Sequence, residues 1–112
     1  MNMIGIKEGS FEWALMMLKA GAKMQRKNWN GKGMFIYLTT GKEVPAVNLR
    51  PDTANYIFSY SPIEGDTTVK FNDHIDMKTA DGSVTIGWAP SQVDMLAEDW
   101  QRFKYLGGNQ NE

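Results

Sequence analysis

The sequence has no cysteine, which removes disulfides, thiolate metal sites and cysteine nucleophiles and fits a reducing compartment. It has one histidine, His74, so a Ser-His-acid triad would have to be built on that residue, and no Gly-x-Ser-x-Gly turn exists to present a serine. No apolar run approaches bilayer length, and the opening MNMIGIKEGSFEW lacks a basic region followed by an apolar stretch and a small-residue cleavage site. The expectation is a chain neither exported by that route nor spanning a membrane. A large excess of positive charge is missing too. With a net charge of −1, the protein is not expected to bind long nucleic acid, whose affinity comes from many phosphate contacts.

What is present is an ordinary globular composition. At 112 residues the chain is expected to form one domain that buries roughly two thirds of its extended-chain surface. Charge is unevenly placed. From Trp13 to Lys42 there are six basic residues and no acid, whereas from Glu64 onward nine acids meet four bases. One face could attract a small anion, or the two halves could neutralise each other.

Ser10 as N-cap and Gly21 as stop bracket a helix over about Phe11 to Ala20, with Phe11, Ala14, Leu15 and Leu18 at helical spacing on its core face. Trp13, Met17 and Ala20 make a second apolar stripe, which calls for a partner subunit or a pocket. Ala22 to Lys27 and Met34 to Thr39 read as strands of a hairpin, in which Met34, Ile36 and Leu38 alternate with Phe35 and Tyr37, so both faces are apolar. Asp81-Gly82 signals a second hairpin between HIDMK and VTIGW. Ser91, with Asp94 three residues on, opens a short helix from about Gln92 to Glu98, and Trp100 to Tyr105 is a last strand. Gly41 to Asp66 is too apolar for a linker and too broken for one helix. It is expected to be an ordered excursion that holds one strand or serves as a lid, and residues 106–112 a tail. The fold class that follows is α+β: a small antiparallel sheet with two short helices.

Catalytic patterns are thin. His74 and Asp76 share a strand face, yet two ligands fall short of a metal site, and a histidine bonded to a nearby carboxylate explains the pair. No metal or cofactor is expected. Glu98 and Asp99 are adjacent, face different ways, and read as solvated charges at a helix end. The turn RKNWNGKG is more informative, because a plain reversal needs Asn-Gly but no indole. Trp29 either folds back as a plug on the core or offers a face to a purine, worth roughly 1 to 3 kcal/mol per stacked base. Asn30, Gly31 and Gly33 allow close backbone approach to phosphate oxygens, with charge from Arg26, Lys27 and Lys32. Arg26 is expected to contribute most, through its planar fork. Ser91, Gln92 and Asp94 stand near a helix start, where N–H groups favour anions.

The strings F-x-x-A-L-x-x-L-K-A-G (Phe11 to Gly21), R-K-N-W-N-G-K-G-M-F-I (Arg26 to Ile36), H-I-D-M-K-T-A-D-G (His74 to Gly82) and W-A-P-S-Q-V-D-M-L-A-E-D-W (Trp88 to Trp100) resemble the phage Thoeris anti-defence proteins of the second type. That resemblance implies a homotetrameric, non-catalytic sponge. In the infected bacterial cytoplasm it would bind cyclic ADP-ribose isomers made by a TIR-domain enzyme and hold them uncleaved, and some relatives also capture cyclic oligonucleotides. Trp29 matches the tryptophan of the family's W-N-G motif. Nanomolar capture needs about 12 kcal/mol, more than one stacked base supplies, so the expected pocket lies between subunits. A hydrolase using His74, Asp76 and Asp94, or a structural phage protein without ligand, are the competing readings.

Overall fold

A computed structural model describes residues 5–29 and 32–104 of the chain. Two compact units are present: residues 1–39 with 74–112, and residues 40–73.

The first unit opens with α1 (Phe11–Lys19). Its N-cap is Ser10, whose side chain accepts the Trp13 N–H, an orphan donor of the first turn. Its end is a Schellman closure: the Ala22 and Gly21 N–H groups donate to the Met17 and Leu18 carbonyls, and Gly21 supplies the required positive φ of 98°. The strands are β1 (Met24–Arg26), β2 (Phe35–Thr39), β5 (His74–Lys78), β6 (Val84–Ile86) and β7 (Trp100–Arg102), and a short helix, α3 (Gln92–Leu96), precedes the last. They pair antiparallel in the order β6-β5-β2-β1-β7, with Met24 opposite Ile36 and Ile36 opposite Met77. Those residues share one face with Trp100. Ala14 and Leu18 of α1, with Ala22 just after it, complete the buried cluster.

Trp13 and Met17 also pack against this cluster. The expected free stripe on α1 is thus partly covered by the chain itself. The helices α1 and α3, which touch, instead leave Met16, Val93, Met95 and Leu96 exposed.

The second unit holds the excursion. Strands β3 (Lys42–Pro45) and β4 (Thr68–Phe71) pair antiparallel with Val44 opposite Val69. Between them lies the helix α2 (Pro51–Phe58), started by Pro51 where a missing N–H costs nothing. The architecture is therefore α+β, with three α-helices among the described residues where two were expected. Asn, Asp and Thr in PDTANYIF hid α2, since their short polar side chains compete for backbone bonds in turns.

Candidate functional site

The hairpin of β1 and β2 carries the turn. Lys27–Trp29 form one turn of 3₁₀ helix, and Asn30 and Gly31 lie outside the described residues. This turn is fixed from the far end of the chain. Asp99 accepts the Asn28 N–H through Oδ2 at 3.0 Å and the Arg26 Nε–H through Oδ1 at 2.8 Å, while the Lys27 N–H donates to the Asp99 carbonyl. Arg26 Nη1 donates to Asp94 Oδ1 at 2.9 Å. Its side chain is only 10% exposed.

Asp94 is occupied on both oxygens. It closes a capping box with Ser91, whose backbone N–H donates to Asp94 Oδ2 while Ser91 Oγ accepts the Asp94 N–H. The electrostatics follow this geometry. Arg26 is pushed above its ordinary value chiefly by the Asp99 hydrogen bond, against the cost of burial. Burial alone would raise Asp94 and Asp99. The Ser91 N–H and the Arg26 guanidinium hold Asp94 below the usual carboxylate range, and Arg26 with the Asn28 N–H does the same for Asp99. Asp99 is thus a buttress of the turn, which corrects the expectation of a solvated charge. Glu98 remains in an exposed pair with Lys7.

Trp29 sits edge-on to Trp100 and Trp88, with ring centroids 5.5 and 6.4 Å apart, and Trp100 Nε1 donates to the Asp94 carbonyl. It is half-buried against the core cluster. The structure therefore brings Arg26, Trp29, Ser91 and Asp94 together although two distant segments supply them. It joins them by bonds and packing within the chain. Gln92, Lys27 and Lys32 are exposed, and among the described residues no acid pairs with either lysine. Gly33, at φ 77°, turns the chain into β2.

His74 Nε2 lies 3.5 Å from Asp76 Oδ2, as the strand spacing led one to expect. Asp76 also accepts the Thr39 hydroxyl at 2.6 Å and the Gly87 N–H at 3.0 Å. Among the described residues no group of three or more His, Cys, Asp or Glu could hold a metal, and no helix is long and apolar enough to cross a membrane.

Sequence reasoning missed the opposite face of the same sheet. There Lys23, Phe35, Tyr37, Lys78, Gly82 and Val84 line an open-sided cavity of about 280 Å³. The signal was legible in Phe35 and Tyr37, which alternate with the core residues of β2 and so face the other way.

A small α+β protein with a buttressed tryptophan turn on one side of its sheet and a cationic aromatic face on the other is the class these features define. Residues 9–103 match the Thoeris anti-defense 2-like domain. Thoeris anti-defense 2 of Bacillus phage SP01 is 35% identical over 91 residues, covering 81% of this chain and 90% of the relative. The chain belongs to the Thoeris anti-defense 2-like family, and with that membership goes an anti-defence role.

Proposed function

We propose that the protein blocks Thoeris defence by sequestration: it binds a cyclic ADP-ribose-type signal made by a TIR enzyme and holds it unaltered in the cytoplasm of the infected bacterium. The observation that carries this reading is the family match over residues 9–103, which takes in the tryptophan turn and the α3 cap together.

The geometry supports a division of labour. Trp29, Lys32, Gly33 and Gln92 are the ligand-facing set, and Asn30 and Gly31, outside the described residues, are assigned to it by sequence alone. Arg26, Ser91 and Asp94 build the wall behind them, because their polar atoms are engaged within the chain. This departs from the expectation that Arg26 meets phosphate first. A homotetramer completes the pocket, with Met16, Val93, Met95 and Leu96 as the apolar surface between copies. Cyclic oligonucleotides are a second ligand class on the same reading.

Hydrolysis is less well supported. Asp76 and Asp94, its candidate carboxylates, accept hydrogen bonds from Thr39 and Gly87, and from Arg26 and Ser91. The test is to incubate the protein with a TIR-generated cyclic ADP-ribose mixture, remove unbound material by filtration, denature, and identify what is released by mass spectrometry. Intact cyclic product is expected. Linear ADP-ribose would establish hydrolysis, and no release would leave a protein without this ligand.

A further inference from the structure

We propose that the outer face of the five-stranded sheet carries a second binding site, separate from the tryptophan turn, for one aromatic ring bearing a single anionic group, of which a nucleoside monophosphate is the fitting class. The juxtaposition of Phe35, Tyr37, Lys23 and Lys78 carries it.

Register places these residues together. Phe35 is opposite Lys78 on β5, and Lys78 is opposite Val84 on β6, so all three point away from α1 and the core. Phe35 is the hub: its ring lies 4.6 Å from Phe103 and 6.0 Å from Tyr37, centroid to centroid. Above it stand two ammonium groups, Lys23 Nζ at 5.1 Å and Lys78 Nζ at 5.8 Å from the ring centroid. A half-buried aromatic holding two cations attracts them through its quadrupole, but their like charges repel, and an anion between them relieves both.

Among the described residues no acid lines the cavity. The two carboxylates nearest in register, of which Asp76 shares this face of the sheet, have their oxygens engaged by other groups. Asp76, opposite Tyr37, is buried and bonded to Thr39, Gly87 and His74. Asp81 accepts the Thr79 hydroxyl and the Ser83 N–H inside the β5–β6 turn. The site is therefore net positive, walled by rings, and apolar at Val84.

Size selects the occupant. Cavities for drug-sized ligands run from about 300 Å³ upward, so an open-sided cavity of about 280 Å³ matches one ring system with one charged group. The ring stacks beside Phe35 and Tyr37, and the phosphate sits between Lys23 and Lys78.

Titration calorimetry of the full chain with adenosine 5′-monophosphate, adenosine and ribose 5-phosphate tests this. The monophosphate is expected to bind once per chain. Adenosine and ribose 5-phosphate should each bind at least tenfold more weakly, since each lacks half of the recognition. Phe35→Leu and the double variant Lys23→Gln/Lys78→Gln should each weaken the monophosphate by tenfold or more, and Lys32→Gln on the turn should leave it unchanged. Lys23 is exposed and Lys78 half-buried, both outside the core cluster, so the lysine variants remain informative if Phe35→Leu fails to fold. No binding at millimolar monophosphate, equal binding of ribose 5-phosphate alone, or loss only in Lys32→Gln would each overturn the proposal. None of these outcomes depends on capture of a cyclic signal.

Discussion

Two faces of one hairpin received different treatment from the same five residues. Met34, Ile36 and Leu38 turn toward α1 and join a buried cluster, and at the end of that face Arg26, Asp94 and Asp99 lock the turn of Trp29. Phe35 and Tyr37, interleaved with them, carry rings and lysines on the opposite side, where they line an open-sided cavity. The first face spends its charges on each other. The second leaves two cations without an acid among the described residues. The lesson is that a polar residue near a functional motif is as often part of the wall as part of the surface, and burial with bonding partners tells the two apart.

The comparison breaks most visibly at Arg26. Replacing it by Met leaves two half-buried carboxylates without their cation, and removing one partner of such a network costs about 3 kcal/mol. For a chain of this size the melting temperature should fall by roughly 10 °C. Lys78→Gln, on the other face, should change stability by no more than about 0.5 kcal/mol. Thermal unfolding of both variants measures the contrast. An Arg26→Met protein that melts like the parent yet fails to capture the signal would return Arg26 to the ligand.

Trp29→Ala is next in size. A half-buried indole in edge contact with two others should cost about 2 kcal/mol on truncation, read as a shift of the urea midpoint. Phe35→Leu keeps apolar volume on a more open surface and should cost less than about 1 kcal/mol. Capture assays on the same two variants then sharpen the division: the turn variant should lose the cyclic signal, and the Phe35 variant should keep it.

The first unit was legible because its signals are local and periodic. Ser10 and Gly21 mark α1, HIDMK is β5 residue for residue, and Ser91 with Asp94 is a capping box in sequence and in space. Helix α2 was not legible, since PDTANYIF is short and rich in turn formers, with only Pro51 to announce its start. At the site, the neighbourhood of Trp29 and Asp94 could be suspected, but its bonding could not. Arg26 and Asp99 are 73 positions apart, and charge asymmetry alone left attraction of an anion and mutual neutralisation equally open. The structure divides the answer: Arg26 is neutralised, whereas among the described residues no acid pairs with Lys27 or Lys32.

Acid offers a smaller perturbation of the same contrast. Asp94 and Asp99 titrate below the ordinary carboxylate value when folded, so the stability they add is present above about pH 4, their unfolded range, and is lost as pH falls through their folded values. Asp81, pushed down to about 2 mainly by the Thr79 hydroxyl, acts in the same direction at a fully exposed site. Urea midpoints between pH 7 and pH 2 should therefore fall. In Arg26→Met the fall should be shallower, because the two carboxylates no longer have a cation to lose. Equal slopes would mean that Arg26 does not hold them.

The smallest effect separates two neighbours. Ser91 caps α3 through its side-chain oxygen, and Gln92 follows it exposed. Ser91→Ala removes a cap and should cost about 1 kcal/mol, with a further consequence for position: α3 holds Asp94, Asp94 holds Arg26, and the Asp94 carbonyl takes the indole N–H of Trp100 behind Trp29. Gln92→Ala should leave stability within about 0.5 kcal/mol. If Gln92 faces the captured signal, its variant lowers affinity with no change in melting, whereas Ser91→Ala lowers melting and affinity together. Measured side by side in calorimetry and thermal unfolding, unchanged affinity in Gln92→Ala would withdraw the start of α3 from the ligand-facing set and leave it wholly to the wall.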